Sequence, residues 1–180
     1  ENIECHIQTF HSFCWSYIRL DESYPLLGFS KRPMIMFEDQ KEETINHILK
    51  KYEEDYSDIP FIKAISKIKS QSKIDDISEK DLLIVNAVYQ EYQQKLIESN
   101  MVDFDDMIIK ATDVVENIRI NKKYKYVIID EYQDTSLIRF NLVKAILLKT
   151  NSNLMVVGDD FQSIYKFTGC ELSLFLNFKD

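Results

Sequence analysis

The 180-residue sequence contains little glycine, proline and cysteine, with three of each. So few glycines and prolines leave little room for a flexible linker or a low-complexity tract. No apolar run approaches the roughly 18 residues that span a bilayer. The N-terminus has neither the basic segment nor the apolar segment of a signal peptide. These absences exclude a fibrous or disordered chain and predict a soluble protein with no membrane segment.

The three cysteines, Cys5, Cys14 and Cys170, form neither a CxxC pair nor an even disulfide framework. Reduced thiols and a cytoplasmic location are the expectation. Cys5, His6, His11 and Cys14 are four potential zinc ligands within ten residues. Their spacing is not that of a zinc finger, and they lie in an aromatic helical pattern, so we expect structural cysteines instead.

Charge separates this chain from proteins that coat nucleic acid with their whole surface. The formal net charge is −8, which argues against broad phosphate binding but leaves room for a local groove. Residues 60–74 carry Lys63, Lys67, Lys69 and Lys73 without an acidic residue. These lysines are candidate phosphate contacts, and a solvated helix face is the alternative.

Hydrophobic periodicity predicts a helical segment between two α/β pieces. Helices are predicted at 9–20, 39–52, 60–69, 79–99, 104–119 and from 135 or 136 to about 149, and strands at 33–37, 125–130 and 153–157. The last strand, helix and strand imply a right-handed parallel crossover. We therefore assign residues 1–24 and 99–180 to one α/β domain and residues 25–98 to a mostly helical insert.

An apolar run at 126–129 ends in two adjacent carboxylates, Asp130 and Glu131. Runs of this kind are typical of buried parallel strands, and ligands of open α/β sheets bind beyond the carboxyl ends of their strands. Two carboxylates there suit a site in which one helps to hold Mg²⁺ and the other orients or deprotonates water. The alternative is an Asp-Glu turn that only caps the next helix.

Four motifs occur in a fixed order: TFHSF at 9–13, DFDDM at 103–107, DEYQDT at 130–135 and VGDDFQSIYKF at 157–167. Together they resemble the UvrD/Rep/PcrA helicases of superfamily 1. The segment at 88–96 also looks like the helix that precedes the DFDD motif in that family. The resemblance covers nearly the whole chain. It implies part of a RecA-like P-loop NTPase domain, an α/β fold with a parallel sheet, that carries an inserted mainly helical subdomain.

The resemblance implies ATP and Mg²⁺ as cofactors. Asp130 would hold Mg²⁺, through water, and Glu131 would polarise the water that attacks the γ-phosphate of ATP. Gln162 matches the glutamine that senses the γ-phosphate and couples the nucleotide state to the grip on DNA. Its alternative is a turn residue after the last strand.

The same resemblance implies DNA-binding residues. Tyr165, Phe167 and Phe104 match aromatic positions on which the family stacks bases of single-stranded DNA, a contact that tolerates any sequence. Thr9 and His11 match positions that approach the DNA backbone. Each of these three residues also has a structural alternative. Phe104 could be only a core residue, Thr9 only an N-cap, and His11 only a partly buried histidine.

Some positions depart from the family or carry no catalytic role. Asp105 and Asp106 look structural, holding the first turn of their helix through its dipole. Thr168 stands where relatives usually have arginine, so coupling or DNA contact there would be weaker or supplied elsewhere. Phe161 stands where they usually have aspartate, and nothing in the sequence explains it.

The 180 residues contain no GxxxxGK[ST] phosphate loop. In relatives this loop precedes the TFHS segment, and a second RecA-like domain supplies arginines to ATP. We therefore expect a fragment that alone neither hydrolyses ATP nor unwinds DNA.

The parent protein is expected to be a monomeric, cytoplasmic 3′-to-5′ helicase. It would act on single-stranded DNA and on junctions with duplex DNA, in repair, recombination or replication, with repair or replication proteins as partners. A catalytically dead DNA-binding or docking module, or the helicase part of an AddA/RecB-like helicase-nuclease, remains open.

Overall fold

The computed structural model describes residues 4–52, 56–72, 74, 77–117 and 124–159. Its α-helices are α1 (Phe10–Ile18), α2 (Glu38–Leu49), α3 (Phe61–Lys69), α4 (Glu79–Glu98), α5 (Phe104–Asn117) and α6 (Leu137–Thr150). Its strands are β1 (Met34–Ile35), β2 (Met101–Val102), β3 (Tyr126–Ile129) and β4 (Asn153–Val156). None of the helices in these ranges is long and apolar enough to cross a membrane.

All six helices lie where periodicity predicted them, and polar caps explain several of their starts. Thr9 precedes α1 and its Oγ1 accepts a hydrogen bond from the backbone N–H of Ser12 at 3.2 Å. Asp103 does the same for α5, accepting from the N–H of Asp106 at 2.9 Å. These bonds satisfy N–H groups that have no partner within a helix. The N-cap expected of Thr9 is therefore confirmed.

One hydrophobic core lies among α1, α5 and α6. Its buried side chains include Cys14 and Ile18 from α1, Ala111 from α5 and Leu142 from α6. Phe29, from the connector after α1, packs into the same core with 3% of its surface exposed. Cys14 is buried, as expected of a structural cysteine, and burial raises the pKa of its thiol to about 12. Cys5 is exposed, so the same expectation is wrong for that cysteine.

A second core is formed by α2, α3 and α4. Ile48, Ile65, Val88 and Tyr92 lie at its centre and are fully buried. The residues of this core run from Met36 to Leu96, whereas the predicted insert runs from 25 to 98. Whether this helical group is an independent inserted subdomain stays a prediction.

Strands β1 and β2 connect the two cores. They are parallel, with Met34 opposite Met101 and Ile35 opposite Val102. The sequence predicted β1 but not β2, since two residues between helices leave no periodic signal. Asn100 precedes β2 with a φ of 52°, and its Oδ1 accepts from the N–H groups of Ser30 and Lys31. This asparagine therefore fastens the connector after α1 to the end of α4.

Strands β3 and β4 form the predicted parallel pair, with Ile129 opposite Val156. The expectation of a buried strand holds for only one face of β3 in the described part of the chain. Ile128 is 65% exposed and Met155 is 54% exposed. The alternate residues Val127 and Ile129 face the helices. Val127 packs against the first core, and Ile129 is buried in a small separate cluster with Tyr132 and with Val143 of α6. In the described residues, the helices cover only one face of this pair.

Candidate functional site

The two carboxylates lie directly beyond β3. Asp130 and Glu131 are both exposed. Glu131 has φ 51° and ψ 43°, the left-handed conformation that residues other than glycine, asparagine and aspartate rarely adopt. Asp130 Oδ1 accepts a hydrogen bond from the N–H of Glu131 at 3.0 Å. Glu131 is the N-cap residue of the short 3₁₀ helix Tyr132–Asp134 that follows, but its carboxylate makes no capping hydrogen bond there, and the N-cap residue of α6 is Ser136. Neither carboxylate therefore acts as a side-chain cap in the described structure.

A short 3₁₀ helix, Tyr132–Asp134, turns the chain after Glu131 and brings Gln133 back toward it. Gln133 Nε2 donates to Glu131 Oε2 at 2.6 Å. Gln133 Oε1 accepts from the backbone N–H of Asp159 at 3.0 Å. Gln133 is 2% exposed. The sequence pattern indicated no role for Gln133, whose only local signal is its position two residues after the carboxylate pair.

Backbone hydrogen bonds extend the β3–β4 contact past the ends of the strands. Val157 N–H donates to the carbonyl of Ile129 at 2.8 Å, and Tyr132 N–H donates to the carbonyl of Val157 at 3.0 Å. The start of the VGDD segment is thereby held against the DEYQ turn. Two of the four motifs therefore meet at one sheet edge, as parallel pairing predicts.

Asp130 is the described residue that fits Mg²⁺. Its carboxylate is an exposed hard oxygen ligand at a strand end. Mg²⁺ commonly binds one or two carboxylates together with substrate phosphates and water. Within the described ranges, no three His, Cys, Asp or Glu side chains gather as a metal cage. The donor set therefore fits an ion shared with a phosphate substrate.

A cleft of about 340 Å³ lies between the starts of α1, α5 and α6 and one side of α3. Its lining includes His11, Lys63, Lys67, Phe104, Ser136 and Arg139, together with the acids Asp105 and Asp134. Three permanent cations against two carboxylates give the cleft walls an excess of positive charge. The structure thus brings together predicted DNA contacts that are far apart in sequence.

Phe104 is half-buried at the first residue of α5. Its ring meets the imidazole of His11 edge-on, with centroids 5.3 Å apart, and the ring of Phe37 at 6.1 Å. It also packs against the first core. Phe104 therefore combines core contacts with a ring that lines the cleft, which is compatible with both readings of the sequence.

His11 is half-buried beside Arg139. Burial, reinforced by the positive charge of Arg139, lowers the pKa of His11, and the opposing effect of Asp105 is smaller. The imidazole is therefore neutral near pH 7, so it can take part in hydrogen bonds but carries no charge. Arg139, which the sequence reasoning did not select, supplies permanent charge next to it.

Lys69 is not a phosphate contact, contrary to the sequence prediction. Its side chain is 0% exposed, with Nζ 2.6 Å from Asp103 Oδ2 and 2.9 Å from Asp106 Oδ2. Buried lysine requires such partners, because an unpaired ammonium cannot be desolvated at reasonable cost. Lys63 is exposed and Lys67 half-buried, and both line the cleft. Lys73 lies outside the described residues.

Asp103 and Asp106 are structural, and ion pairing explains Asp106 better than the predicted helix dipole. Burial alone would raise the pKa of Asp103, but Lys69 and Lys41 together lower it. Burial and the charge of Asp103 raise the pKa of Asp106, although the charge of Lys69 acts to lower it. Burial disfavours the Lys69 ammonium, yet Asp106 and Asp103 raise its pKa. Asp105 contributes at longer range, 3.9 Å from Lys41 Nζ.

Several predicted site residues lie outside the described residues. They are Gln162, Tyr165 and Phe167, and with them the two departures Phe161 and Thr168. Their roles stay predictions.

Comparisons with known proteins agree with the motifs. The sequence profile of the UvrD/REP helicase N-terminal domain matches residues 2–180. The chain is 31% identical over 187 residues to an ATP-dependent DNA helicase PcrA of Staphylococcus epidermidis, covering 97% of this chain and 25% of that protein. It is 34% identical over 192 residues to a probable DNA helicase II homolog of Mycoplasma capricolum, covering 96% and 26%. The chain thus spans about a quarter of the length of the curated relatives it matches.

Proposed function

Because this chain belongs to the UvrD/REP helicase family, we propose that it is part of an ATP-dependent DNA helicase that moves 3′ to 5′ on single-stranded DNA. The observation that carries the proposal is the carboxylate pair Asp130–Glu131 at the end of a parallel strand, hydrogen-bonded through Gln133 to the VGDD segment. Its edge position suits a nucleotide, because ligands bind there in open α/β sheets.

The fold proposal follows from the same sheet. Strands β3 and β4 with α1, α5 and α6 would belong to a RecA-like core, and α2, α3 and α4 to a subdomain inserted in it. Relatives are about four times as long, and these 180 residues contain no phosphate loop. The chain alone is therefore proposed to be inactive, and catalysis to belong to the longer protein.

In the proposed reaction, Asp130 would hold Mg²⁺ and Glu131 would orient water toward the γ-phosphate of ATP. Mg²⁺ supplies charge neutralisation on the phosphate oxygens when it is bound. The oxygen of this water forms a bond to the γ-phosphorus, and Glu131 accepts a proton from the same water. The bond from that phosphorus to the bridging oxygen breaks, and ADP and phosphate leave. Gln162 would report this change to the DNA-binding residues.

For DNA we propose the cleft between α1, α3, α5 and α6. Phe104 would present its ring to a base, while Lys63, Lys67 and Arg139 would face phosphates. Stacking on an aromatic ring contributes about 1–3 kcal/mol per base. Tyr165 and Phe167 are proposed as further stacking positions, and Thr9 and His11 as backbone contacts.

A strand-displacement assay tests this function in the longer protein. With ATP and Mg²⁺ we expect unwinding of a duplex that carries a 3′ single-stranded tail, and little unwinding with a 5′ tail. The Phe167→Ala variant should bind single-stranded DNA more weakly and uncouple hydrolysis from movement. Equal use of both tails would contradict the polarity, and normal translocation by Phe167→Ala would contradict the stacking role.

A further inference from the structure

We propose that Gln133 is a positioning residue for ATP hydrolysis, whose amide fixes the Glu131 carboxylate and ties it to the end of β4. The proposal rests on the proposed function, in which Glu131 polarises the attacking water. It adds a residue that touches neither water nor nucleotide and acts through Glu131.

The partners of Gln133 determine the orientation of its amide. An ionised carboxylate only accepts hydrogen bonds and a backbone N–H only donates them. Nε2 must therefore face Glu131 Oε2, at 2.6 Å, and Oε1 must face the N–H of Asp159, at 3.0 Å. Because the side chain is 2% exposed, water does not compete freely for either bond. The amide can thus fix one carboxylate oxygen and leave Oε1 of Glu131 for the attacking water.

The backbone of Glu131 is consistent with a carboxylate that is fixed in place. A φ of 51° is rare for glutamate and persists only where surrounding contacts hold it. The bonds from Glu131 N–H to Asp130 and from Tyr132 N–H to Val157 hold the turn on both sides. Gln133 adds the one described hydrogen bond to the Glu131 side chain itself.

The second hydrogen bond of Gln133, from the backbone N–H of Asp159, connects Glu131 to the VGDD segment. Asp159 ends the described part of the VGDD segment, and Gln162 follows it by three positions in the sequence. A single buried amide therefore joins the proposed water-polarising carboxylate to the backbone that leads to the proposed γ-phosphate sensor. Loss of the amide should loosen both the contact with Glu131 and the contact with Asp159. Replacing only its Nε2 donor should loosen the contact with Glu131 alone.

Two substitutions in the longer protein separate these connections. Gln133→Met removes donor and acceptor, whereas Gln133→Glu keeps an acceptor for Asp159 N–H but sets a second carboxylate against Glu131. At pH 8 we expect both variants to lower kcat for DNA-stimulated ATP hydrolysis by about 10- to 100-fold, because a catalytic group misplaced by about 1 Å can cost about 100-fold, with KM for ATP unchanged within about twofold. Amide hydrogen exchange at Asp159 should accelerate in Gln133→Met only.

Gln94→Met is the matched control. Gln94 also donates to a glutamate, Glu98, at 2.8 Å, but it does so on the exposed surface of α4. This variant should retain wild-type kcat and wild-type exchange at Asp159.

A double substitution tests whether Gln133 acts through Glu131. In a Glu131→Gln background, Gln133→Met should cause no further loss of residual hydrolysis, because the group it positions is already changed. A further loss of tenfold or more there, or kcat within twofold of wild type in Gln133→Met alone, would overturn the positioning role while leaving the proposed function intact. A wild-type protein without DNA-stimulated hydrolysis would overturn both.

Discussion

Removal of the buried ammonium of Lys69 is expected to be among the most destabilising single changes in the described structure. Lys69 pairs with the buried carboxylates of Asp103 and Asp106, and Lys41 lies 3.6 Å from Asp103 and 3.9 Å from the less buried Asp105. Lys69→Met leaves one lysine for two carboxylates whose side chains are 1% and 6% exposed. Breaking a buried pair in this way costs about 3–5 kcal/mol.

The lower end of this range is expected, because Lys41 Nζ remains 3.6 Å from Asp103 Oδ2 and the Met side chain fills most of the vacated volume. A loss of about 3 kcal/mol is a large share of the about 5–15 kcal/mol that stabilises a typical domain. Urea denaturation of the chain, followed by the fluorescence of Trp15, its single tryptophan, measures this loss. Lys63→Met, an exposed lysine on the same helix, is the control and should stay within about 0.5 kcal/mol of wild type.

Acidification gives a second readout of the same prediction. In wild type the pKa of Asp103 is lowered, so its contribution to stability is present above its unfolded value of about 3.9 and is lost as pH falls through the folded value. Without Lys69 the carboxyls take up protons more readily, and protonation relieves the repulsion. The deficit of Lys69→Met should therefore shrink as pH falls from 7 toward 4. A deficit below about 1 kcal/mol at pH 7 would show that Lys69 does not compensate the two buried carboxylates.

Other predictions concern the cleft and α1. The pKa of His11 is lower in the folded protein than in the unfolded chain, so the unfolded chain binds a proton at higher pH. The stability of the fold should therefore decline as pH falls below about 6.5. An unchanged pH dependence in a His11→Asn variant would contradict this. Reversing Lys63 and Lys67 to Glu should weaken duplex-junction binding and reduce the slope of log K against log salt by about 1.8, or 0.9 per phosphate. Lys50→Glu, outside the cleft, should leave that slope unchanged. Thr9→Ala should cost about 0.5–2 kcal/mol of unfolding free energy, since it removes the cap of α1, and a loss below 0.3 kcal/mol would contradict that role.

Sequence periodicity was sufficient for the helices, because each carries an apolar stripe that must be buried. It also placed β3 and β4, and with them Asp130 and Glu131 at a sheet edge. The predicted phosphate contact at Lys69 was wrong, because several lysines along one helix normally face solvent. Only Asp103 and Asp106, more than 30 positions later in the sequence, explain why Lys69 is buried.

Gln133 was missed for a related reason. Its role depends on the left-handed turn at Glu131 and on the N–H of Asp159, and neither follows from local composition. The exposed face of β3 was missed because a Val/Ile run predicts burial without specifying what covers each face. Contacts between distant segments thus account for these errors.

ATP hydrolysis by the longer protein, measured with and without single-stranded DNA, decides whether the carboxylate pair beyond β3 is catalytic. We expect DNA to stimulate hydrolysis strongly, and Glu131→Gln to lower the stimulated rate by about 100-fold or more while ATP still binds. DNA-stimulated hydrolysis that survives Glu131→Gln unchanged would show that Glu131 does not activate the attacking water.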